Sequence, residues 1–145
     1  MKRLILVLSA LFTLVTGALF AQERAYKEGA VMVVTSIKIK DGQFDNYMDW
    51  LDKGYKPLME AEKKAGIILD YGVFSTDARS PNDPDLYLTV TYPNMASFDG
   101  LDDRSEPIMQ KVMGQNRAQG NAAFAARSTM REVLGSEMVR TLELK

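Results

Sequence analysis

Histidine and cysteine are both absent from this 145-residue chain, and the two absences bound its chemistry more tightly than any residue it contains. Without either, the usual zinc, haem, copper and iron–sulfur ligand sets cannot be assembled, and neither a metal nor another cofactor is expected. Ser-His-Asp and Cys-His nucleophilic machinery is excluded as well. No glycine-rich phosphate loop or dinucleotide fingerprint occurs. Carboxylate, Lys, Tyr or Arg chemistry remains, as does cofactor-free chemistry on a reactive substrate, or no chemistry at all. The missing cysteine also excludes a lipid-anchored lipoprotein and a disulfide framework, so stability must come from packing or association.

A surplus of positive charge is lacking too. Met1, Lys2 and Arg3 precede an almost unbroken apolar run from Leu4 to Val15, and small residues follow at Gly17, Ala18 and Ala21. This predicts a secretory signal peptide over residues 1–21, cleaved after Ala21, with Ala18 the competing site. An uncleaved anchor is the alternative, although Leu4 to Ala21 is barely long enough to span a bilayer. Cleavage makes the protein periplasmic or secreted, with no membrane association afterwards. It removes two of the 18 basic residues and none of the 19 acidic ones, leaving 16 against 19. A nucleic-acid partner is therefore not expected, because such affinity rests on clustered Lys and Arg. Roughly 124 residues remain, enough for one core and too few for two.

Residues 22–29 are polar and read as a flexible arm, and the domain proper is expected over 30–145. Val31 to Lys40 (VMVVTSIKIK) reads as a strand, apolar on both faces in its first half. Asp41-Gly42 makes a turn. From Phe44, the residues Tyr47, Met48, Leu51, Tyr55, Leu58 and Met59 form an apolar helical stripe, with a kink expected near Tyr55 to Pro57 and a stop at Gly66. Ile67 to Thr76 reads as a second strand and Leu86 to Tyr92 as a third, separated by a Pro- and Asp-containing loop. Asn94 can cap a short helix. Asp102 to Glu106 breaks the pattern, Ser105 starts a further helix with Pro107 in its first turn, and an alanine-rich segment runs to Arg127. Thr129 and Glu132 have capping-box spacing, Gly135 closes that turn, and Glu137 to Leu144 is the last strand.

The resulting βαββαβ order predicts an α+β, ferredoxin-like fold: an antiparallel sheet with its helices on one face. Helices cover one face while the strands are apolar on both, so the bare face requires cover. Hiding about 400–600 Å² of apolar surface contributes roughly 10–15 kcal/mol before association costs. A homodimer is the expected solution.

The strand VMVVTSIKIK, the DGQFDNYMDWL segment opening an aromatic helix, and the strand LYLTVTYPNMASF running into a helix together resemble the dimeric α/β-barrel superfamily. Its branches include antibiotic-biosynthesis monooxygenases, EthD-like and NIPSNAP-like proteins. The resemblance covers Ala30 to Lys145 and implies two ferredoxin-like protomers packed sheet against sheet, each with a cavity between sheet and helices. Haem-handling branches use a histidine, which this chain lacks.

Aromatic residues with a polar tip suit such a cavity. The ligand-binding candidates are Tyr47, Trp50, Tyr55, Tyr71, Tyr87 and Tyr92, against the plainer reading of core or dimer packing. Arg117, Arg127, Arg131 and Arg140 can hold an anion, although surface ion pairs are their ordinary use. Asp83 and Asp85, or Asp99, Asp102 and Asp103, lack the spacing of an EF-hand loop. Two functions fit. One is an exported homodimeric module binding a small apolar or aromatic ligand without catalysis. The other is a cofactor-independent monooxygenase or isomerase acting on an activated aromatic or polyketide-like compound. No catalytic residue is marked by local sequence.

Overall fold

The computed structural model describes residues 23–145, and the expected signal peptide lies outside them. Strands β1 (Tyr26–Ile39), β2 (Asp70–Ser75), β3 (Leu86–Tyr92) and β4 (Arg131–Leu144) form one sheet in the order β2-β3-β1-β4. Every neighbouring pair is antiparallel. Between β1 and β2 runs a bent helix: α1 (Phe44–Trp50), a π-helical turn (Leu51–Tyr55) and α2 (Lys56–Lys64). Between β3 and β4 lie a 3₁₀ turn (Met95–Phe98), α3 (Leu101–Met113) and α4 (Arg117–Ala126). The expected βαββαβ order is thus present.

The helices of the described residues lie on one face of the sheet. Register sets Ile37 opposite Leu86 and Val133, and Tyr71 opposite Val90, so these side chains share a face. On that face Ile37, Leu86 and Leu88 pack with Tyr47 and Leu51, while Tyr71, Val90 and Tyr92 pack around Met59, Ile67, Ile68, Leu101 and Ile108. The opposite face presents Met32, Val34, Phe74, Tyr87 and Val139 beside Ser36, Thr89 and Thr91. Phe74 is 56% exposed there and Val139 38%. Beyond the last β1–β3 pair at Val31, β1 and β4 continue as a two-stranded ribbon joining Tyr26–Glu28 to Leu142–Leu144.

Several boundaries differ from those expected. The arm over 22–29 is strand from Tyr26 onward, Tyr26 lying opposite Leu144, because a long partner strand supplies hydrogen bonds that polar side chains do not advertise. Ile67 and Ile68 precede β2 and are buried as core plugs rather than strand residues. Gly66 stops α2 as expected: at φ +73° it lets the Gly66 and Ile67 N–H groups donate back to the carbonyls of Lys63 and Glu62, each at 3.0 Å. Helix α3 begins at Leu101 instead of restarting at Ser105. Pro107 is tolerated inside it because the residue is exposed, so the carbonyl it leaves unpaired faces water. There is no turn at Gly135. After a 3₁₀ turn (Arg127–Thr129), β4 begins at Arg131 and runs through Gly135, with a register shift at Leu134: Ser36 pairs Gly135 and Ile37 pairs Val133. That extra residue is a β-bulge.

Candidate functional site

A cavity of about 530 Å³ opens between the bent helix, α3, α4 and the helix-side face of the sheet. Its aromatic wall depends on Pro57. Proline offers no N–H and its ring clashes with the carbonyl four residues back, and the helix widens by one residue just before it: the Lys56 N–H donates to the Leu51 carbonyl, an i→i−5 bond. In a regular helix Trp50 and Tyr55 would point about 140° apart. The π turn brings them together, with ring centroids 6.1 Å apart, and Tyr47 stacks on Trp50 at 5.5 Å with planes 20° apart. Gly54 completes the wall, because a Cβ there would come within 3.0 Å of the Trp50 indole nitrogen.

The opposite wall depends on the bulge. Without a bulge, the ladder running on from Gly135 would turn Leu134 and Glu132 toward the helices. With it, Arg131 and Val133 face inward and line the cavity. Arg131 is buried, at 5% exposure, and donates to the Phe124 carbonyl at 3.3 Å. Its guanidinium lies 4.5 Å from the Phe124 ring centroid, and that of Arg127 lies 4.1 Å from the Trp50 ring. The Nε of Arg127 and the hydroxyl of Tyr55 are buried without a hydrogen-bond partner.

Three of the six aromatic candidates, Tyr47, Trp50 and Tyr55, line this cavity. Tyr71 meets the edge of Tyr55 at 5.9 Å but gives its hydroxyl to Glu60 at 2.6 Å, which pushes that hydroxyl up to about 12. Tyr92 packs on Phe98 at 4.6 Å. Tyr87 stands outside the cavity, on the uncovered face opposite Ser36 and Phe74, where the alternation of β3 puts it. Of the four arginines, Arg117 pairs with Asp102 and Arg140 with Glu28, each at 2.7 Å. Asp83 and Asp85 cap loop and strand N–H groups, those of Arg79, Ser80 and Ile39.

Glu62, from α2, was not singled out by sequence because it lies among lysines and other acids. It is 7% exposed and lines the cavity. Burial pushes its carboxyl up, partly offset by the Ser105 hydroxyl. Burial also pushes up the hydroxyls of Tyr55 and of Tyr47, the latter partly offset by Arg131. The Glu62 shift carries a pH dependence. The folded protein binds this proton more tightly than the unfolded chain, so the contribution to stability is full below the ordinary value of 4.5 and is lost as pH rises through the higher folded value. Glu62→Gln is therefore expected to leave the melting temperature unchanged at pH 4 and raise it by roughly 2–5 °C at pH 8. Paired thermal melts check this, and an equal shift at both pH values would contradict it.

Solved structures share this topology. A dimeric ferredoxin-like protein from an uncultured marine organism aligns over 82% of this chain and 98% of its own, with 17% identity and a TM-score of 0.51. The chain has the ferredoxin-like fold. HapK from Hahella chejuensis also aligns, over 77% of this chain and 91% of its own, with 15% identity and a TM-score of 0.49. No protein-family model matches the chain, and no curated protein matches it significantly. The ferredoxin-like core here carries one addition beside the cavity, α4, whose residues Gly120, Asn121 and Phe124 help to line it.

Proposed function

We propose that this chain is an exported homodimeric module whose protomer cavity binds a small aromatic ligand. The observation that carries the reading is the cavity itself. Its volume of about 530 Å³ falls within the range of small-molecule sites, roughly 300–1,000 Å³, and three aromatic rings converge on one wall. Export rests on the leader pattern of residues 1–21. The homodimer is supported by the apolar sheet face left uncovered among the described residues, by the ribbon of β1 and β4 beside which the described residues place no third strand, and by the likeness to a structure described as dimeric. Two sheets packed face to face would bury Met32, Val34, Phe74 and Val139 of both copies.

Native mass spectrometry of protein purified without added ligand, followed by solvent extraction, is expected to release an aromatic compound, and an aromatic panel is expected to raise the melting temperature. An empty protein with a flat panel would overturn the reading.

A second reading, a cofactor-independent monooxygenase or isomerase, is favoured by one observation. Glu62, with its raised carboxyl, and the unpartnered Tyr55 hydroxyl share the cavity. A group tuned toward neutral pH in a cleft is the usual equipment of acid–base catalysis. Conversion of a bound compound, lost in Glu62→Gln while binding persists, separates the two readings.

A further inference from the structure

Most ion pairs of this protein lie at its surface. Lys38, Lys40, Lys53, Lys56, Lys63, Arg24, Arg117, Arg140 and Lys145 each reach a carboxylate. Arg127 and Arg131 do not. Among the described residues neither has a carboxylate within salt-bridge distance, although Arg131 is 5% exposed and the Nε of Arg127 is shielded and unbonded. Burying an unpaired cation is costly, and here a buried arginine, Arg131, and a half-buried one, Arg127, stand four residues apart against one cavity. Burial first, and then Arg131, hold the Arg127 guanidinium below its ordinary value. The Trp50 and Phe124 rings offset part of that cost through their faces. A stacked guanidinium still presents its N–H edge in the plane, which is the geometry that receives a carboxylate.

We propose that Arg127 and Arg131 form an anion subsite at the β4 end of the cavity and that the ligand is a flat aromatic carboxylate. The carboxylate lies against the two guanidinium groups and the ring lies along Tyr47, Trp50 and Tyr55. The inference rests on the reading of this cavity as a ligand site and deepens it. The two arginines come from separate pieces of the fold, Arg127 from the turn after α4 and Arg131 from the first residue of β4. The bulge at Leu134 is what turns the second toward the first.

The test uses matched probes, 2-naphthoate and 2-naphthamide, titrated calorimetrically into the purified protein at pH 7.5. The two share ring and shape and differ in charge. The carboxylate is expected to bind at least about tenfold more tightly, as charge-assisted hydrogen bonds require. Arg127→Met and Arg131→Gln are each expected to reduce that ratio to within about threefold of one while amide binding persists. Arg127→Lys, which keeps the charge but loses the planar N–H edge, is expected to retain part of the preference, between the unaltered protein and Arg127→Met, so the readout does not depend on a variant that fails to fold. Equal binding of the two probes by the unaltered protein overturns the anion subsite and leaves the aromatic cavity standing. Failure of both probes to bind at millimolar concentration overturns the subsite together with the reading it rests on.

Discussion

Phe74→Glu is expected to convert the proposed dimer into a folded monomer at micromolar concentration. The Phe74 ring lies over Gly72 on the sheet face that no helix of the described residues covers, with more than half of its surface exposed in the protomer. In a face-to-face dimer each copy would bury this ring, worth about 2–3 kcal/mol per side. A glutamate in its place would bring an unpaired charge into a dry seam at further cost. By symmetry the loss is counted twice, so the dissociation constant is expected to rise at least about a thousandfold. The edge position of β2 and the exposure of the side chain mean that the protomer itself loses little, and far-UV circular dichroism should not change. Sedimentation velocity decides the matter. A variant that sediments as the unaltered protein does, or an unaltered protein that is itself monomeric, would remove the sheet face from the interface.

The second large effect is expected inside the protomer. Ile37 and Leu86 face one another across the two central strands, each 1% exposed, and pack beneath Tyr47 and Leu51. Truncating Ile37 to alanine leaves a cavity between strands too well hydrogen-bonded to collapse, at a cost of about 2–5 kcal/mol. Against a typical total of about 5–15 kcal/mol this is a large fraction, and the melting temperature is expected to fall by roughly 10 °C or more. Phe44→Ala provides the contrast. Phe44 belongs to the same apolar stripe in sequence but is 49% exposed, and its loss is expected to fall within about 0.5 kcal/mol. Chemical denaturation at one fixed protein concentration compares the two, since coupling to association would otherwise move both midpoints. Similar costs for both would mean that the stripe, not the sheet contact, governs burial.

That contrast marks what the sequence could and could not express. Strand β3 was legible from Leu86 to Tyr92 because alternation and a following proline delimit it, and α2 ended where Gly66 required. The fold order followed from such segments. Trp50 was harder: helical spacing at 3.6 residues per turn puts it off the apolar stripe, and only the widened turn before Pro57 returns it to the cavity wall. The Gly54–Pro57 pair predicted a disturbance without its sense. Arg131 was named with three other arginines as an anion holder, but its inward placement was hidden for a related reason, since nothing local distinguishes a glycine that closes a turn from one beside a strand bulge. Glu62 looked like surface because its neighbours in sequence are surface. Its burial comes from α3 crossing above it, a long-range fact.

The bent helix and β4 have something in common that bears on how this sequence can change. Each holds one more residue than its regular form has room for, and the cavity lies between the two irregularities. Dropping Gly54 would restore a regular turn with Trp50 and Tyr55 four residues apart and still on one face, and dropping Leu134 would leave Gly135 and Val133 opposite Ser36 and Ile37 in an unbroken ladder. In either event the core side chains and the cavity side chains could keep their places, because each irregularity already absorbs a single inserted residue. Loss of a single codon at either place is thus a length change this site can absorb, whereas gain of one more would turn the flanking side chains away from it.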